Sequence, residues 1–289
     1  MIKEGLFCIM KNLTYIFIGL LIISCGGGSD DEGTNLDTNC RFVGLETGVC
    51  PTGDFSTLVW QEEFDGASVN TTLWQYEIGD GCPDLCGWGN NEQQYYTNRI
   101  DNARVQNGVL KITAKRENYD NKDFTSARLI TKDRFEFQYG RVEIRAKLPV
   151  GQGTWPALWL LGSNIDQVSW PACGEIDIME HGNGVRGLIS STVHLANADG
   201  NHQYSVGRQT IQNEATEFHL YRMDWNENRI DFYVDDIRHH GFALTDTMPF
   251  HQPFFFILNI AMGGLFTDNT IDPDFVSSQM EIDYIRLYK

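Results

Sequence analysis

Basic residues are scarce in this chain: 22 lysines and arginines stand against 39 aspartates and glutamates, leaving a formal charge of −17. A surface this acidic repels nucleic-acid phosphates and anionic membranes, which argues against a nucleic-acid partner. Sulfated polysaccharides are disfavoured for the same reason, unless local charge overrides the mean. No P-loop and no dinucleotide glycine fingerprint occurs, which removes two common phosphate cradles. No internal repeat is present and no segment sustains the 3.6-residue apolar period of a helix, so solenoids and helical bundles drop out. Residues 13–23 are apolar but too few to span a bilayer comfortably. Zinc is disfavoured too: Cys82 and Cys86 have the spacing of half a zinc site, yet no second Cys or His pair follows.

What is present is a chain of 289 residues, 42% of them hydrophobic, enough for one sizeable core. Its apolar residues alternate in short runs separated by turn signals. Residues 58–66 read as a strand ending in a turn, and 105–117 as a hairpin around Asn107-Gly108. Residues 125–132 and 139–149 read as single strands; 218–225 and 229–235 read as a second hairpin across Asn226-Glu227-Asn228. Residues 253–264 are almost wholly apolar, as in a strand buried on both faces. Asn259 interrupts that run, and a buried amide must find partners. A dozen short strands at this spacing predict an all-β fold: a β-jelly-roll sandwich of two curved antiparallel sheets, with a cleft across the concave one.

The run Gly174-Glu175-Ile176-Asp177-Ile178-Met179-Glu180-His181 organises the rest. Apolar and acidic residues alternate through its first half, the pattern of a strand with one face in a core. Glu175 and Asp177 share a face, but Glu180 falls on the other one. A β-bulge that takes up one residue, such as Met179, brings all three acids to one side. Stacked carboxylates raise one another's pKa, so a strand carries three only for a reason. Glycosidic bond hydrolysis supplies one: retention needs an ionised carboxylate and a protonated carboxyl roughly 5–5.5 Å apart. The backbones of Glu175 and Glu180 lie more than ~10 Å apart at a strand's rise of about 3.3 Å per residue, so their side chains must lean together over Asp177. A calcium loop is the weaker reading, because such loops are rich in Gly and Asn and do not alternate with Ile.

Other blocks have the composition of a sugar site. Cys82 to Thr97 form a loop rich in Gly, Asn and aromatics, and flat rings with amides suit pyranose faces and hydroxyls. In Gly153-Thr154-Trp155-Pro156-Ala157-Leu158-Trp159-Leu160, Trp155, Ala157 and Trp159 share one strand face. The two tryptophans make either a stacking platform or part of the core. Arg128 reaches a sugar or simply sits in an ion pair.

The acid run resembles the signature of glycoside hydrolase family 16, in the bulged form of its laminarinases (endo-β-1,3-glucanases). The resemblance extends over residues 58–289. It implies that Glu175 is the nucleophile, Glu180 the acid and base, and Asp177 the residue tuning both. It places Trp88, Asn90, Arg128, Trp155, Trp159, His194 and Asn259 in the substrate cleft. No cofactor is needed for the chemistry; a structural Ca2+ is expected at Asp283, with backbone help near Glu63 and Gly108. The expected partner is a laminarin-like β-glucan, bound by a monomeric protein. Alternatives are the same chemistry on agar, carrageenan, mixed-linkage glucan or xyloglucan, or a non-catalytic glucan-binding lipoprotein. The chain departs from the family at Leu195, where an aromatic usually follows the histidine, and over 265–279, where a Trp-containing loop is usual.

The first segment reads as targeting. Residues 1–25 resemble a bacterial lipoprotein signal, with Ile22-Ile23-Ser24-Cys25 as its lipobox and Cys25 as the lipidated residue. An ordinary secretory signal or a short anchor is the alternative, and Met10 is a second candidate start. Residues 26–54 read as a flexible tether and 55–289 as the catalytic domain. The Ser29-Asp30-Asp31-Glu32 run resembles an export signal to the cell surface, so an outer-membrane lipoprotein is expected. In that compartment Cys40 with Cys50, and Cys82 with Cys86, are expected to pair, leaving Cys173 buried and free.

Overall fold

The computed structural model describes residues 41–42, 54–182 and 185–289. Their strands form two stacked, mostly antiparallel sheets, one of eleven strands and one of seven. Alternation is the cause. In Gly140–Lys147 every second residue is buried, and Val142, Ile144 and Ala146 enter the core between the sheets. In Phe254–Met262 all nine residues are buried, as expected for a strand with neighbours on both edges and cover on both faces. The expected jelly-roll sandwich is the observed fold.

The Asn107-Gly108 hairpin forms between Ala103–Gln106 and Val109–Tyr119, with both turn residues at positive φ (58° and 74°). A type I′ turn requires this conformation, and Asn-Gly adopts it with little strain. The expected single strand over 125–132 is instead two. Lys122–Ser126 belongs to the larger sheet, while Arg128–Ile130 belongs to the smaller. The chain crosses between sheets at the fully buried Ala127, small enough to fit the corner. At the edge of the larger sheet, Arg41–Phe42 pairs in parallel with Ile237 and Arg238. Cys82 and Cys86 are disulfide-bonded, and Cys173 is free and buried, as expected. Cys25, Cys40 and Cys50 lie outside the described residues.

The seven-stranded sheet positions the site. Leu158, Leu160, Ile176, Leu258 and Ile260 point from it into the core. Trp155, Ala157, Trp159, Glu175, Asp177, Glu180 and Asn259 point the other way and line a cleft of about 370 Å³.

Candidate active site

The acids share a face because their strand, Glu175–His181, carries one residue too many. Along the neighbouring strand Thr154–Gly162, Leu158 pairs with Met179 and Trp159 with Asp177, so Ile178 is passed over. On the other side Thr192 pairs with Asp177 and Ser190 with Glu180, so Ile178 and Met179 together face Ser191. Two residues against one is a β-bulge. Ile178 and Met179 both enter the core, and Glu180 turns back to the face of Glu175 and Asp177. The bulge is where it was expected, with Ile178 rather than Met179 as the residue left without a partner across to 154–162.

Each glutamate is held by one indole. Trp170 Nε1–H donates to Glu175 Oε2 at 3.0 Å, and Trp155 Nε1–H donates to Glu180 Oε1 at 3.1 Å. Thr192 Oγ1–H reaches Glu180 Oε2 at 3.4 Å. His194 Nε2 lies 3.1 Å from Asp177 Oδ2 and 3.6 Å from Glu175 Oε1; its Nδ1 contacts His202 Nε2 at 2.8 Å. The approach to Asp177 is close but not aligned as a hydrogen bond, because Oδ2 has no hydrogen-bond partner. Of the three acids on this strand Asp177 is the most buried, at 3% exposed against 9% for Glu180.

Burial therefore dominates their titration. It holds the Asp177 carboxyl well above the usual range. Burial, then the charge of Asp177, pushes Glu175 up to about 8, opposed by His194 and the Trp170 N–H. The same two causes push Glu180 up to about 8, opposed by His194, Trp155 and Thr192. The folded protein thus keeps protons that the unfolded chain gives up, and stability falls as pH rises from about 4.5 through about 8. Glu175→Gln removes one such group, so at pH 8 it melts several degrees above the unmodified protein, at roughly 2–4 °C per kcal/mol. The gap shrinks toward pH 4.5. Thermal melts at both pH values check this; no gap at pH 8 would contradict it.

The remaining cleft residues are placed as follows. Arg128 is buried in the cleft wall, ion-paired with Glu77 and sandwiched between Trp88 (4.5 Å) and Trp159 (4.9 Å). Both readings of Arg128 meet here: it is paired, and it lines the cleft. Trp88 sits at φ 51°, two residues beyond the Cys82–Cys86 disulfide, and its buried indole N–H has no hydrogen-bond partner. Asn90 lines the same wall, its Nδ2 pointing to the Trp88 carbonyl. Asn259 accepts from Trp159 Nε1 at 2.8 Å and donates to Tyr96 Oη at 3.0 Å, so its amide finds the partners a buried amide needs. The pairing expected of Trp155 and Trp159 divides. Trp159 keeps its cleft face beside Arg128, whereas Trp155 is stacked by Phe266 at 4.9 Å, 14° from parallel.

Several cleft residues carry no sequence signal. Trp170 lies in a loop outside any alternating run, so nothing ties it to Glu175 in advance. Nothing in the sequence singles out Glu77 or Glu92, and acids in such positions are usually solvated. Glu92 is instead 6% exposed, taking hydrogen bonds from Gln94 (2.6 Å) and Tyr96 (3.2 Å). Phe266 belongs to the departing 265–279 segment.

The residues expected around calcium pair differently. Glu63 takes a bidentate ion pair from Arg286 at 2.7 and 3.0 Å, and Asp283 pairs with Arg145. Gly108 stays in its turn. A cation at Asp283 would have to displace the Arg145 guanidinium, so that carboxylate as arranged does not fit one.

Two carboxyl groups on one face, a third acid between them, and tryptophans along a cleft on a β-sandwich define a polysaccharide-cleaving hydrolase. The sequence model of glycosyl hydrolases family 16 matches residues 90–286. The chain is 41% identical over 249 residues to a β-glucanase of Rhodothermus marinus, covering 80% of this chain and 85% of that one. It is 43% identical to the structure of laminarinase from Flavobacterium sp. UMI-01, with a TM-score of 0.72, covering 81% and 100% of the two chains. A LamA variant from Z. galactanivorans, solved with laminaritriose and laminaritetraose, superposes with a TM-score of 0.75 at 36% identity and the same coverage. The chain belongs to glycosyl hydrolases family 16.

Proposed function

We propose that this protein hydrolyses internal β-1,3 linkages of laminarin-like β-glucans, with retention at the anomeric carbon. One observation carries the chemistry: the bulge at Ile178 and Met179 sets Glu175 and Glu180 in one cleft with Asp177 between them. Asp177, buried between them, tunes both: its charge raises the carboxyl groups of Glu175 and Glu180 alike. Glu175 then attacks the anomeric carbon. The glycosidic C–O bond breaks as Glu180 protonates the leaving oxygen, giving a covalent glycosyl-enzyme. Glu180, now ionised, takes a proton from water; the hydroxide attacks the anomeric carbon and Glu175 departs. Trp159 and Trp88 line the cleft and give it aromatic surface for the sugars of the bound chain.

The substrate assignment is supported by the glucanase and laminarinase relatives. It is tested by measuring reducing ends and product masses from laminarin, mixed-linkage glucan, agarose and carrageenan. Laminarin cut internally to oligosaccharides is the expected result. Faster cleavage of another polymer moves the substrate, and tight laminarin binding without new reducing ends removes the enzyme reading.

Cys25 carries a lipid anchor to the outer membrane, so the catalytic domain faces its polysaccharide at the cell surface. The support is the lipobox-like Ile22-Ile23-Ser24-Cys25 run. Cys25→Ala is expected to move activity from the membrane to the soluble fraction; unchanged membrane retention contradicts the anchor.

A further inference from the structure

The bulge has a support of its own, built from the side of the sheet away from the cleft. Ser191 is the single residue facing Ile178 and Met179, and it is fully buried. A bulge leaves a backbone group out of the ladder, and a buried carbonyl without a donor is costly. Ser191 Oγ–H supplies the donor, reaching the Ile178 carbonyl at 2.7 Å. With its one proton used there, Ser191 Oγ accepts from His239 Nε2 at 2.8 Å. Burial, then the neighbouring His240, pulls the His239 pKa down to about 4, so the ring is neutral at working pH.

His239 comes from the other sheet, and it too is an extra residue. Along Ile237–Ala243, His240 pairs with Phe232 and Arg238 with Tyr233, so His239 is passed over. That second bulge frees its ring from the ladder pattern. The approach of this strand depends on Gly207, which pairs with Ser191 from the opposite side. A Cβ at Gly207 would lie 2.3 Å from the His240 Cβ and 2.7 Å from the His239 carbonyl oxygen.

We propose that Ser191 and His239 form a strut between the two bulges that fixes the register of the acid strand beyond Asp177 and so aims Glu180. Both are positioning residues, and the proposal rests on Glu180 being the acid and base. Glu175 precedes the bulge in regular pairing with His194, so it does not depend on the strut. Loss of the strut therefore has a signature that general destabilisation lacks. It impairs steps needing proton transfer to the leaving group and spares those that do not.

The test compares kcat/KM on laminarin with kcat/KM on a dinitrophenyl β-laminaribioside, whose leaving group departs without an acid. Ser191→Ala is expected to lose roughly 10–100-fold on laminarin, the scale of a misplaced catalytic group. Its KM changes little, and its loss on the aryl glycoside stays within about threefold. Ser191→Thr keeps the hydroxyl and recovers most of the laminarin rate. His239→Leu, which leaves Ser191 in place, shows the same split at smaller size and serves where Ser191→Ala folds poorly. Glu180→Gln is the reference. If it shows no split, the acid assignment fails. If it shows the split while Ser191→Ala and His239→Leu lose both substrates equally, or neither, the strut is wrong.

Discussion

Glu180→Gln is expected to lower laminarin hydrolysis by roughly 10²–10⁴-fold, the range contributed by a positioned proton donor. Gln keeps the size of the side chain and can still meet the Trp155 N–H, so the cleft is preserved and only the transferable proton is lost. The loss is therefore in kcat, with KM for laminarin near that of the unmodified enzyme. The pH profile changes with it. Burial and Asp177 push Glu180 up to about 8, so the active form of the unmodified enzyme is lost as pH rises through that region. In Glu180→Gln that alkaline limb disappears. Steady-state kinetics on laminarin from pH 5 to 9 measure both effects. A variant with normal turnover, or with an unchanged alkaline limb, contradicts the assignment.

Glu175→Ser is expected to lose more, beyond about 10⁴-fold, because no covalent intermediate can form. The shorter side chain opens space below the anomeric carbon, beside the indole N–H of Trp170. Azide entering that space replaces the missing carboxylate, attacks the anomeric carbon of an activated β-glycosyl fluoride and expels fluoride. The product is a glycosyl azide of inverted configuration, which NMR distinguishes from the retained anomer. Azide rescue with a retained product would place the nucleophile elsewhere.

These assignments divide into what alternation makes legible and what it does not. The three acids are legible because period-2 alternation puts Glu175 and Asp177 together and leaves Glu180 one residue out of phase, a mismatch that only a bulge repairs. The bulge's support is not legible. Ser191 and His239 meet Ile178 through strand pairing and sheet stacking, and neither residue breaks a local pattern. Trp155 and Trp159 look equivalent in sequence, yet a turn more than a hundred residues later stacks Phe266 on Trp155 alone. The same segment, Leu265–Thr267, departs from the family's usual loop, so the departure is visible but its aromatic contact is not. The run over 125–132 alternates well enough to read as one strand. Its change of sheet at Ala127 is a packing event rather than a pattern. Glu92 and Trp170 are missed for one shared reason: loop residues are oriented by the scaffold, and composition does not say toward what.

The central claim is that Glu175 and Glu180 act on the same sugar from one face of a bulged strand. Its most direct measurement is mass mapping of the protein after trapping with a 2-deoxy-2-fluoro-laminaribiosyl fluoride, which forms the glycosyl-enzyme quickly and releases it slowly. The account predicts one added disaccharide, on the peptide containing Glu175, with Glu180 unlabelled. A label on any other residue, or full turnover of the fluoride without a trapped species, would contradict it.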